Sequence, residues 1–188
     1  MKNKIIEQSI ALFELKGFSQ TSIQDVVDRL GVTKGTFYYY FESKEQLLMD
    51  IQLQYIDDLL VKQEHILIQS DKDWKTKMFE VVALLIKHIR TQGRMARVFY
   101  RELRHLNEEN YMIIRRKRRE FRKNLQKIIE QGIENREFRP DLRADLVTFA
   151  ILGVCNWSNR WYKPDGPVPE DELIRTYMEM LLNGIAYK

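Results

Sequence analysis

Apolar residues recur at helical spacing along nearly the whole chain, and no window alternates in the manner of a strand. The spacing predicts a first helix over residues 4–16, with Ile6, Ile10 and Phe13 on its inner face and Gly17 as its stop. Thr21 and Gln24 stand at capping-box spacing and open a short helix that ends near Leu30. Gly31 allows a tight turn, Thr33 caps a second short helix, and Ser43 with Gln46 opens a long one through about residue 69. Further helices are expected over 74–91, in shorter pieces after Gly93 as far as Leu106, over 110–136, over 141–162, and from 170 to about 187. The segment "KPDGPVP" separates the last two. The pattern is therefore all-α: a three-helix helix-turn-helix head over residues 1–48, followed by a larger helical bundle over 49–188.

The stretch "GVTKGTFYYYFESKEQLL" breaks the ordinary economy of an amphipathic helix. Phe37 and Phe41, four apart, serve as its inward face. That leaves Gly35, Thr36 and Tyr39 on the opposite face, with Tyr38 and Tyr40 at the flanks. A glycine inside a helix costs about 1 kcal/mol relative to alanine, which is repaid where a backbone must come close to another surface. Tyrosine rings pack on thymine methyl groups while their hydroxyls reach phosphates; Lys34 and Thr36 can address base edges, and Lys44 at a helix start can clamp a phosphate. The plain alternative is a tyrosine-rich helix used for packing or as a protein interface.

Composition narrows the classes. Hydrophobic residues make up 44% and charged residues 31%, as in ordinary globular chains. No apolar run approaches membrane length and the N-terminus lacks a signal-peptide pattern, so a cytoplasmic protein without membrane attachment is expected. The sole cysteine, Cys155, leaves no internal disulfide. His65, His88 and His105 lie on separate helices, His65 and His88 on partly exposed faces, and no motif joins them to a nucleophile. There is no phosphate-cradling glycine loop and no metal-ligand spacing, so neither an enzyme nor a cofactor or metal site is expected. Net charge is +4, unevenly spread. Residues 1–45 carry six basic and six acidic side chains, whereas residues 94–123 carry eleven basic against four acidic.

The first forty-eight residues resemble the DNA-binding head of the TetR family of bacterial transcriptional regulators, through "IIEQSIALFELKGFSQTSI" and "GVTKGTFYYYFESKEQLL". Val27, Leu30 and Ser9 stand where that family often has small alanines, a departure that touches head packing only. The resemblance implies phosphate contacts from Thr21, Ser22, Tyr39, Tyr40 and Lys44, and places Thr33, Lys34, Gly35, Thr36 and Tyr38 in the major groove. A single short recognition helix spans few base pairs, so a homodimer on a pseudo-palindromic operator is expected. The last two helices are the expected interface, with Leu173, Tyr177, Met180, Leu181 and Gly184 along one stripe and a second apolar stripe beside it. A central core helix is the other reading of that breadth.

By the same resemblance the body binds a small-molecule effector. Arg118 shares a stripe with Phe121, and Glu102 one with Phe99, which makes a buried ion pair or a polar ligand site. Trp157 and Trp161, beside Asn156 and Arg160, either seal the core or the dimer, or bracket a ligand. The segments "EFRPDL", "GVCNWSNRWYKPDG" and "LLNGI" resemble the FadR-like, acyl-CoA-responsive branch, which implies a repressor released by a fatty acyl-CoA. A repressor of efflux or stress genes sensing drugs or lipids is the alternative.

Overall fold

The computed structural model describes residues 1–185. Its helices run in the order α1 (Lys2–Lys16), α2 (Ile23–Leu30), α3 (Lys34–Tyr40), α4 (Lys44–Leu67), α5 (Trp74–Glu102), a 3-10 turn (Leu103–His105), α6 (Glu108–Glu134), α7 (Ala144–Trp161) and α8 (Glu170–Ile185). The end expected for the last helix, near residue 187, lies outside the described residues. The break anticipated at Gly93 is a kink inside α5, where Gln92 leaves helical geometry (φ −136°, ψ 27°). Among the described residues no helix is long and apolar enough to cross a membrane.

The chain divides into two compact units, Met1–Asp57 with Gln92–Arg116, and Asp58–Thr91 with Lys117–Lys188. The head therefore shares its unit with a later stretch of chain. In this first unit Ile5, Phe13, Phe18, Val27, Phe37, Phe41, Leu47 and Leu48 form one core with Val98, and Met95 and Leu106 pack against it. Phe13 and Phe18 meet edge to face at 5.2 Å between centroids. Each buried ring of this kind contributes about 1.5–3 kcal/mol relative to exposure, which lets helices as short as α2 and α3 persist.

The turn between those two helices rests on Gly31, whose left-handed backbone (φ 64°, ψ 34°) ends α2. The start of α2 differs from expectation. Ser22, one residue beyond Thr21, is the N-cap, and its partner is Asp25 instead of Gln24. The Ser22 hydroxyl accepts from the Asp25 amide at 3.1 Å, and the Asp25 carboxylate accepts from the Ser22 amide at 2.6 Å. Those bonds, with Lys16 nearby, hold the Asp25 carboxyl below the usual carboxylate range. Thr21 is withdrawn from the cap because it is buried, its hydroxyl donating to the Gly17 carbonyl at 2.8 Å.

The second unit is organised around Phe138, Ile128, Ile86, Met78 and Ile151, all fully buried. Glu137 closes the start of α5 from across the unit, accepting from the amides of Trp74 and Lys75 at 3.2 and 2.9 Å. Gly132 cannot be replaced without movement, since a Cβ there would stand 2.3 Å from the Phe138 ring. Cys155 is buried, and burial pushes its thiol up to about 12, where it is inert.

His88, expected on a partly exposed face, is instead buried, with Nε2 3.5 Å from an Asp58 carboxylate oxygen. Burial first, then the charge of Lys62, pushes its pKa down to about 4, against an opposing pull from Asp58. As the pH falls from 6.5 towards 4, the unfolded chain takes up a proton at His88 that the folded chain refuses. Stability present above that window is thus lost within it, by up to about 3 kcal/mol. Denaturant titrations at pH 7 and pH 4.5 should show this loss, and His88→Gln should remove its share of the slope.

Candidate nucleic-acid interface and effector-side residues

Recognition geometry begins with the cap of α3. Thr33 has extended backbone (φ −90°, ψ 161°), and its hydroxyl accepts from the Thr36 amide at 3.3 Å. From that start the helix places Phe37 and Phe41 in the core, 0% and 2% exposed, while Tyr38 is 53% and Tyr39 81% exposed. Tyr40 is half-buried and meets Tyr39 edge to face at 4.8 Å. Lys34 and Gly35 are exposed on the first turn and Thr36 is half-buried. A Cβ at residue 35 would lie 3.5 Å from the Thr33 hydroxyl, an ordinary contact, so nothing inside the protein requires glycine there. The bare backbone faces outward, where only an external surface can use it.

Three expected phosphate contacts have internal partners. The Thr21 hydroxyl is bonded to Gly17, as described, and the exposed Ser22 is engaged in its capping box. Lys44 donates to the carbonyls of Phe18 and Thr21 at 3.0 and 2.9 Å, with its ammonium 4.2 Å from the Phe18 ring centroid. Lys44 thereby ties the α1–α2 loop to the first turn of α4, a role that spacing along the sequence does not reveal.

The eight residues expected around an effector fall in both units. Phe99 and Glu102 belong to the first, where both are buried. Glu102 accepts from Arg101 Nε, and its other oxygen lies 3.4 Å from His105 Nε2. Phe99 packs against Tyr55 with the rings tilted by 37° and their centroids 4.5 Å apart. In the second unit Phe121 is buried, while Arg118 and Asn156 are half-buried. Trp157 is 58% and Trp161 42% exposed, so neither seals the core of this chain. The Arg160 guanidinium sits 5.3 Å from the Trp157 ring centroid, at the surface.

The stripe expected at the dimer interface also divides. Leu173 and Leu181 are buried within the protomer, and the half-buried Tyr177 shares a 2.8 Å hydrogen bond with Ser158. Met180 and Gly184 remain exposed on α8. The larger uncovered apolar row is on α7, where Leu146, Phe149, Gly153, Trp157 and Trp161 follow helical spacing. Among the described residues no cluster of three or more His, Cys, Asp or Glu side chains is placed to hold a metal ion.

The profile of bacterial regulatory proteins of the TetR family matches residues 5–51, and that of the tetracyclin repressor-like C-terminal domain matches residues 71–185. The transcriptional repressor KstR2 of Rhodococcus jostii is 27% identical over 98% of this chain and 91% of its own length. The solved structure of the ketosteroid regulator KstR2 of Mycobacterium tuberculosis superposes with a TM-score of 0.90 at 26% identity, covering 100% of this chain and 95% of the other. The fatty acid metabolism regulator protein of Bacillus subtilis is a more distant relative, 24% identical over 98% of this chain and 95% of its own. With the recognition helix, the all-α fold and both profiles in agreement, the chain belongs to the TetR family and is a helix-turn-helix, DNA-binding transcriptional regulator, not an enzyme.

Proposed function

We propose that the protein binds a pseudo-palindromic operator as a homodimer and leaves it when a largely apolar effector with an anionic end occupies the second unit. The split on α3 carries the DNA side of this reading: two phenylalanines spent on the core, two tyrosines and a bare glycine turned outward. Lys34, Gly35, Thr36 and Tyr38 enter the major groove, and Ser22, Tyr39 and Tyr40 meet the backbone. Thr21 and Lys44 shape the loop that presents them. The α7 row with Met180 and Gly184 forms the dimer face. Glycines 153 and 184 support this, because a Cβ at either position would meet nothing in the protomer and both can admit a close partner helix.

For the effector, α6 offers the relevant chemistry. It buries Phe121, Leu125 and Ile128 while exposing Arg119, Lys123 and Lys127. An apolar body entering the bundle and an anionic group held outside suit an acyl-CoA or a related thioester. The names of the relatives, a ketosteroid regulator and a fatty acid metabolism regulator, point to the same kind of carbon skeleton. Arg118 and Phe121 are the residues assigned to this ligand; Trp157, Arg160 and Trp161 pass to the dimer face. A neutral hydrophobic drug is the rival effector.

A thermal-shift panel tests the assignment with acyl-CoAs of graded chain length, steroid-derived CoA thioesters, free CoA, free fatty acids and neutral drugs. A ligand specific for the folded state raises the apparent melting temperature with occupancy. The expected result is a rise that requires both the apolar skeleton and the CoA end, weakened by Arg118→Ala. A rise with neutral drugs alone would overturn the anionic effector and leave the DNA assignment in place.

A further inference from the structure

Three arginines of the basic surplus in the middle of the chain are directed at the first helix, and all these groups belong to the first unit. Arg94, Arg97 and Arg101 lie at helical spacing on the last turns of α5. Arg97 donates through Nε to Glu14 Oε1 at 2.7 Å and also through Nη2, while Arg94 Nε lies 3.3 Å from Glu14 Oε2. Arg101 reaches the backbone itself: Nη2 donates to the Phe13 carbonyl and, at 3.1 Å, to the Glu14 carbonyl. Those carbonyls are among the last of α1, where a helix carries a partial negative charge, and the Phe13 oxygen accepts from the Gly17 amide at 2.9 Å as well. Arg101 Nε is in turn held by the buried Glu102, which also faces His105, and the His105 ring lies 5.3 Å from that of Phe18.

We propose that Glu14, Arg97 and Arg101 form a clasp that positions the head for operator binding. These are positioning residues; none of them needs to touch DNA. α3 packs on α2, α2 packs on α1, and Phe37 and Phe41 share one core with Phe13, so the bearing of α3 is tied to where the last turn of α1 is fixed. The clasp fixes that turn from a segment more than eighty residues later. A guanidinium fork suits the part played by Arg101, whose Nε meets the Glu102 carboxylate while Nη2 reaches the two α1 carbonyls, whereas Arg97 brings its charge to a single carboxylate. The inference rests on the DNA-binding reading above and adds to it a second stretch of chain without which the head is misdirected.

A double-mutant cycle on the full chain tests this, with Glu14→Gln, Arg97→Gln, their combination, and Arg97→Lys as the variant that keeps the charge. The probe is a duplex enriched from a random-sequence DNA pool on the wild-type protein, and thermal stability is measured alongside affinity. Each single variant should weaken binding about tenfold, and the combination should be little weaker than either, as coupled residues behave. Arg97→Lys should recover most of the affinity, and melting temperatures should not track the losses. Unchanged binding in both single variants, or losses that follow the melting temperatures, would overturn the clasp as a positioning device. If Glu14→Gln does not fold, Arg97→Gln and Arg97→Lys decide the matter, since Arg97 is partly exposed. Failure of the wild-type chain to enrich any duplex would defeat the DNA-binding reading itself, an outcome distinct from failure of the clasp.

Discussion

Tyr38→Ala and Lys34→Ala should each leave a folded protein that separates its operator from random duplex much less sharply. Both side chains are exposed on α3 and neither belongs to the head core, so their removal creates no cavity. The Tyr38 ring meets Phe37 edge to face at 5.6 Å between centroids, and alanine is a better helix former than tyrosine. At the DNA, each lost base-edge or thymine contact costs about 1–3 kcal/mol, or roughly ten- to a hundredfold in specific affinity. Non-specific binding, which draws on phosphates, should change much less for Tyr38→Ala. Phe37→Ala is the contrasting control. Its ring is fully buried, so truncation should cost about 3–5 kcal/mol and unfold the head along with its binding. Titrations of labelled specific and random duplexes, read beside circular dichroism, separate the two cases.

Trp157→Glu combined with Trp161→Glu should give a folded monomer with greatly reduced operator affinity. In the protomer these rings face outward, so a charge placed there costs the isolated chain little. Against a second copy the same charges would be buried without partners, which an apolar interface does not tolerate. Losing the dimer removes the effective concentration that one bound head confers on the other, a term of about a hundredfold or more. Sedimentation velocity reports the association state. If the double variant stays dimeric but loses its response to effector, the tryptophans belong to the ligand site, as one reading of the sequence allows.

Head architecture was legible because its signals are local. Gly31 and Thr33 mark the turn and the cap, and the four-residue spacing of Phe37 and Phe41 settles which face of α3 is inward. The start of α2 was misread by one residue because Thr21–Gln24 and Ser22–Asp25 have equal capping spacing. The choice between them depends on Thr21 being drawn inward, a tertiary fact. Lys44 and Arg101 act on carbonyls 23 to 88 residues away, and no sequence spacing records such pairings. The helical spacing of Arg94, Arg97 and Arg101 was a usable sign of one charged face, but not of what it faces. Glu102 was placed correctly on an inner stripe, yet its partners there are Arg101 and His105. In α7 and α8 a broad apolar surface reads alike whether it meets its own core or another chain. The structure buries Leu173 and Leu181 within the protomer and leaves Leu146, Phe149, Trp157 and Trp161 exposed on α7.

The most direct test of the central claim is the stoichiometry and salt dependence of binding to the duplex enriched on the wild-type chain. The account predicts two protomers per duplex, sequence symmetry in the enriched site, and affinity falling by roughly 10³–10⁵ between about 50 and 200 mM salt through counterion release. One protomer per duplex with no symmetry, or affinity indifferent to salt, would contradict it.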